Sequence, residues 1–218
     1  KTVYSATETE LSTKIDNAKE TTNLLKWDKV ASEHKIFVKD LASNKDNKYS
    51  KVGWLSTWFS RCGIASYSRH LIDNMIEEVE VFHPYHEITS NNDFDYVHKN
   101  QNIHESWKLD SLDKNTFNKV INLIHKLNIT TLVIQFNYGF FQFETFSAFI
   151  NELKENDINV IVFLHSTQDP INNENKELHL LTAAFKRCDR LMVHTINDLN
   201  RLKDLGLVDN VFLFPHGI

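Results

Sequence analysis

The chain has 218 residues, a formal net charge of -5, 41% hydrophobic and 24% charged residues, a balance typical of a globular protein with one sizeable α/β domain plus an appendage, or two small domains. The negative charge gives no electrostatic reason to expect nucleic acid as a partner. Two cysteines, Cys62 and Cys188, are too few for a disulfide framework and point to a reducing compartment. No apolar run reaches membrane-spanning length and no signal peptide opens the chain. The expected location is the cytoplasm, with peripheral contact at the inner membrane face left open.

Residues Thr7 to about Leu41 read as helical. From Trp27 the stripe Trp27, Val30, Ala31, His34, Phe37, Val38 and Leu41 runs at spacings of three and four. Ser43–Lys48 is a polar break with linker composition. Beyond it the pattern changes to alternating strands and helices. Val52–Thr57 reads as a strand, Ile64–Ile76 as a helix opened by the Cys62-Gly63 turn, and Val79–His83 as a strand closed by Pro84. The polar span Glu87–Leu112 fits neither period, with one short strand expected near Tyr96. Lys114–Leu127 is an amphipathic helix through Phe117, Val120, Ile121, Ile124 and Leu127.

Strands are then expected at Thr131–Phe136, Asn159–His165, Arg190–His194 and Val211–Phe214. Helices are expected at Glu144–Glu155, Glu174–Lys186 and Ile196–Leu205, the last with Gly206 at its C-terminus. Repeated strand–helix units predict a doubly wound, Rossmann-like parallel sheet covered by helices on both faces. The expected division is a helical segment and linker over 1–50, then the α/β domain over 51–218.

Ligands of such sheets bind at the carboxyl ends of the strands, where the strand order reverses. The strand ends carry Trp58–Gly63, His83, Asn137–Phe141, His165-Ser166-Thr167, His194-Thr195 and His216-Gly217. Of the five glycines, Gly63, Gly139 and Gly217 fall in these loops, where glycine allows close approach of backbone to a ligand. Gly63 also precedes a helix, whose free N–H groups favour an anion such as a diphosphate, although a turn glycine there is often structural. The strand-end histidines are too dispersed to show ligand spacing, so no metal is expected, and each reads equally as a polar residue bonded to nearby backbone. The aromatic Phe140, Phe141 and Phe146 read as core first, whereas Asn137 and Tyr138 divide between ligand and structural roles. GxGxxG, Walker A and G-x-S-x-G motifs are absent.

At these residues the sequence resembles the group 1 (family 4) retaining glycosyltransferases of the GT-B fold. Val52–Trp58 with Arg61–Ser68 looks like the family's opening strand and glycine loop. Gln135–Phe141 resembles its Q-x-x-x-G-x-F segment, and Val160–Thr167 its strand ending in His. Cys188–Thr195 and Val211–Gly217 resemble its pair of strands ending P-H-G. The resemblance covers residues 51–218, in order, and implies the N-terminal, acceptor-side half of an enzyme that transfers a sugar with retention. Its substrates would be a nucleoside-diphosphate sugar and a saccharide or lipid-linked acceptor. The paired glutamates and most donor contacts belong to a C-terminal domain, and no cofactor is implied. Carried over by position, Gly63 with Arg61 would approach the donor, His165 would be catalytic, donating a hydrogen bond to the transferred sugar, and Asn137, Tyr138 and Gly139 would line the cleft. His216 and Gly217 would begin the interdomain connection. A single glycine at Arg61-Cys62-Gly63 departs from members with a glycine pair.

Lys26–Ala31 looks like the W-x-x-V/I-A helix that ends a transferase of the same family. That similarity, with a chain ending just after a strand-like run, suggests a tandem protein cut to one tail and one half-enzyme, against the plainer reading of a helical linker. Two other functions compete: a non-catalytic half-transferase serving as a binding module, and another doubly wound sugar-nucleotide enzyme, such as an epimerase or nucleotidyltransferase.

Overall fold

The computed structural model describes residues 8–24, 26, 29, 32, 51–75, 78–85 and 101–216. Helix α1 spans Glu8–Leu24, and its residues 12–20 are exposed. Trp27 and every other residue of the stripe expected through Leu41 lie outside the described residues.

The remainder is α/β. Strands β1 (Lys51–Leu55), β2 (Val79–Pro84), β3 (Gln101–Trp107), β4 (Ile129–Phe136), β5 (Asn159–Leu164), β6 (Arg190–Val193) and β7 (Val211–Leu213) form one sheet. Its order is β3-β2-β1-β4-β5-β6-β7, and every neighbouring pair is parallel. The chain builds outward from β1 to β3, then crosses back to lay β4 on the other side of β1. The order therefore reverses between β1 and β4, as in a Rossmann-like sheet. Helices α2 (Gly63–Asp73), α3 (Asn118–Leu127), α4 (Phe143–Glu155), α5 (Thr182–Arg187) and α6 (Ile196–Asp204) connect the strands.

Strand alternation sorts the core into two layers. Leu55, Phe82, Leu132, Ile134, Phe136, Val160, Val162, Leu164, Leu191 and Val193 share a cluster with the buried faces of α3, α4 and α5. Val52, Trp54, Val79, Val81, Val133, Ile161, Phe163 and Met192 share the other with Tyr67, Leu71 and Ile72 of α2. Burying each large side chain contributes roughly 1.5–3 kcal/mol. Gly53 is required by close approach: a Cβ there would lie 2.8 Å from Phe82 Cε2 and 2.9 Å from Leu132 Cδ1. Turns are made by left-handed residues where the chain leaves a helix, Asn128 at φ 54° after α3 and Gly206 at φ 76° after α6.

Three expected spans come out differently. Within Glu87–Leu112 the strand is Gln101–Trp107, while the position expected near Tyr96 lies outside the described residues. This strand lies at the sheet edge, and its polar side chains pair across to β2: Asn102 Nδ2 donates to Glu80 Oε1 at 3.1 Å and His104 Nε2 lies 2.7 Å from Glu80 Oε2. Its anchor is Trp107, fully buried, whose indole N–H donates to the Phe82 carbonyl. Such a strand shows little apolar alternation. The helix expected over Glu174–Lys186 is instead two short 3₁₀ turns, Glu174–Lys176 and Leu178–Leu181, followed by α5. Competing partners hold this segment in turns. The buried Lys176 ammonium donates to the Tyr138 and Phe141 carbonyls and pairs with Asp110, and the Leu178 N–H donates to Asp169. The helix expected from Lys114 begins at Asn118, because Asp113 accepts from the Asn115 N–H and holds a turn ahead of it.

Candidate functional site

A cavity of about 650 Å³ opens at the carboxyl edge of the sheet, within the range of small-ligand sites. Its walls include Cys62, Gly63 and Ser66 from the turn and helix after β1, Asn137 and Phe140 after β4, His165 after β5, and His216 after β7. The loops after β1 and β4 are those flanking the reversal of strand order, where open α/β sheets bind ligands.

The β1 side is a helix N-terminus. Cys62 is the N-cap of α2, its sulfur accepting from the Ala65 N–H at 3.4 Å. Burial raises the Cys62 thiol pKa, but hydrogen bonds from Ser60, Thr57 and the backbone of Ala65 and Ile64 bring it net below its ordinary value. Gly63 leads the helix, with open space where a Cβ would stand, and the first turn carries no acidic side chain. The positive end of the helix dipole thus faces the cavity without an internal counter-charge.

The opposite side is built from histidines, placed there by strand parity. Phe163, Met192 and Phe214 all belong to the α2-side core. Two residues beyond each, on the same face, come His165, His194 and His216. The rings gather around Tyr67 of α2, with centroids 5.0, 5.3 and 5.2 Å from it respectively. His194 stacks on His216 at 3.7 Å and lies 5.0 Å from His165. His165 Nε2 lies 2.7 Å from Oε1 of Gln135, a fully buried side chain on β4. His194 Nδ1 lies 2.8 Å from the Phe214 carbonyl oxygen. Both partners are acceptors, so the bonded nitrogen carries the proton and the other ring nitrogen keeps its lone pair. Burial, then the neighbouring histidines, drives the His165 pKa down to about 3. Burial and His216 bring His194 down to about 4, and burial lowers His216 as well. The three are neutral imidazoles at neutral pH.

Of the residues expected at the site, Gly63, Asn137, His165 and His216 share the cavity wall, whereas Arg61, Tyr138 and Gly139 do not line it. Arg61 is exposed in the turn before α2. Tyr138 turns into the opposite core layer, packs on Phe136 and Phe143, and donates its hydroxyl to Asp169. Asn137 holds the loop as well as lining the cavity, its Oδ1 accepting from the Gly139 N–H at 3.0 Å. His83 stands apart, edge-on to Phe59 and 3.0 Å from the Pro84 carbonyl. Gly217 lies outside the described residues. Tyr67 and Gln135 escaped the sequence reading as site members, and His194 was placed at a strand end without a role. The signal for Gln135 was a lone amide in the otherwise apolar run Leu132–Phe136.

Away from the cavity, Thr195 caps α6 by accepting from the Asp198 N–H, and Asp198 accepts from Thr167 at 2.6 Å, tying the loop after β5 to that helix. Among the described residues no helix is long and apolar enough to cross a membrane. No protein-family model matches the chain, and a search of curated proteins finds no match either.

Proposed function

We propose that this chain is the acceptor-side half of a retaining GT-B glycosyltransferase, which moves a sugar from a nucleoside-diphosphate sugar to a saccharide or lipid-linked acceptor. The observation that carries the reading is the meeting of Gly63, at an uncompensated helix N-terminus, with His165 in one cavity at the reversal of strand order. These are the two positions on which the family resemblance puts donor and sugar contacts. The N–H groups of α2 would stabilise the diphosphate as it departs, supplying charge stabilisation from fixed dipoles. With its Nε2 proton held by Gln135, His165 would accept a hydrogen bond from a sugar hydroxyl through Nδ1 instead of donating one. Asn137 would position the same substrate from the β4 side. The setting is the cytoplasm or the inner membrane face, where lipid-linked acceptors are presented.

Calorimetry of residues 1–218 against a panel of nucleoside-diphosphate sugars tests the division of labour. The reading expects binding no tighter than the millimolar range here, and micromolar binding only in a longer protein that carries a second domain. A micromolar constant on residues 1–218 alone would overturn the acceptor-side assignment.

A further inference from the structure

Three adjacent parallel strands, β5, β6 and β7, each end in a histidine on the same face of the sheet. Neighbouring strands lie about 4.8 Å apart, and one nitrogen from each ring lies within 4.8 Å of the others. Among the described residues no carboxylate joins this group. The Nε2 atom of His194 is buried and has no hydrogen-bond partner among the described residues. A buried ring nitrogen with a free lone pair is costly unless something occupies it.

We propose that His165, His194 and His216 form a three-histidine site for a late divalent transition metal of the Zn²⁺ class. All-imidazole donors suit Zn²⁺, Co²⁺, Ni²⁺ and Cu²⁺, whereas Mg²⁺, Ca²⁺ and Mn²⁺ want oxygen ligands that this group lacks. Tetrahedral Zn–N bonds of about 2.0–2.1 Å put ligand nitrogens about 3.3 Å apart. The widest pair, at most 4.8 Å, therefore has to close by no more than about 1.5 Å, and the stacked rings of His194 and His216 have to turn out of the stack so that both lone pairs point at the ion. The surroundings supply the outer support that metal-bound imidazoles use. Gln135 Oε1 takes the second N–H of His165, the Phe214 carbonyl takes that of His194, and the Tyr67 ring packs edge-on against all three. Three protein ligands leave a fourth position open. Since His165 and His216 both line the cavity, that position faces the space where a hydroxyl or phosphate oxygen would bind.

The ion would take the same His165 Nδ1 lone pair that the proposed sugar contact uses, so the two states exclude each other at that atom, and the test of the ion contains no donor and no acceptor. The full 218-residue chain, prepared without an affinity tag and stripped with chelator, is titrated with Co²⁺ and then with Zn²⁺. The expected result is one ion per chain with a Kd of about 10 µM or tighter. Bound Co²⁺ should show the intense visible absorption of four-coordinate cobalt, discharged by Zn²⁺. His194→Ala and the exposed His216→Ala should each weaken binding by about a hundredfold or more, and Gln135→Leu by about ten- to a hundredfold. The His216 variant changes an exposed residue and keeps the test valid if the His194 variant does not fold. The proposal is overturned by an absence of saturable one-to-one binding, or by binding that His216→Ala leaves unchanged.

Discussion

The histidine cluster makes the domain's stability depend on pH in a direction fixed by burial. His165 is lowered from 6.5 to about 3 and His194 from 6.5 to about 4. Between those values and 6.5 the unfolded chain binds protons that the folded chain refuses. Stability is then complete above the unfolded pKa and falls as pH falls, because the unfolded state binds more protons. From about pH 7.5 to about pH 5.5 each histidine withdraws about 1.4 kcal/mol, so the pair withdraws about 3 kcal/mol. Against a typical total of about 5–15 kcal/mol this is a large fraction. Urea unfolding in chelator at both pH values, followed by tryptophan fluorescence, should show the midpoint dropping on acidification. The His165→Gln/His194→Gln double variant should show about 3 kcal/mol less dependence over the same interval. A wild-type protein equally stable at the two values, or a double variant with an unaltered slope, would refute the buried, neutral state of these rings.

Other perturbations follow from contacts elsewhere in the sheet. Gly53→Ala forces a Cβ into Phe82 and Leu132, both fully buried, and should cost about 1–3 kcal/mol in denaturant unfolding, since neither neighbour can retreat into solvent. By contrast Gly63→Ala, where the added Cβ meets open space, should change stability by less than about 0.5 kcal/mol in the same assay. Lys176→Met strips the donor from the Tyr138 and Phe141 carbonyls. It should destabilise the domain by about 1–3 kcal/mol and speed amide exchange in residues 174–181 first.

Those regions of the sequence whose burial is simple were the most legible. β4 and β5 carry the apolar runs Leu132–Ile134 and Val160–Leu164 because both faces are covered, and their ends were placed within two residues. α3 shows its buried face through Val120, Ile121 and Ile124. The edge strand β3 was not legible, since its stability comes from side-chain pairing to Glu80 and one tryptophan, which leaves no period in the sequence. The turns over Glu174–Leu181 carry helical composition, and only tertiary partners such as Asp169 and the loop carbonyls override it. At the site, the carboxyl ends of the strands and the loop glycine were anticipated. The convergence of His165, His194 and His216 was not. They lie 29 and 22 residues apart, and the spacing rules for metal or catalytic motifs read only local repeats. What brings them together is parity on adjacent strands, one pleat beyond Phe163, Met192 and Phe214. Parity also explains the residues that left the site: Tyr138 sits two beyond Phe136, so it belongs to the opposite layer with that residue.

The most direct test of the central claim is the turnover of a full-length enzyme carrying His165→Ala, measured in chelator with a labelled nucleoside-diphosphate sugar and a saccharide or lipid-linked acceptor. If the cavity at the reversal of strand order is the transfer site, the variant should keep its fold by circular dichroism. Its kcat should fall by about a hundredfold, the scale of a lost hydrogen bond to the transition state. A well-folded variant with near-normal kcat and KM would contradict the account and remove His165 from the reaction.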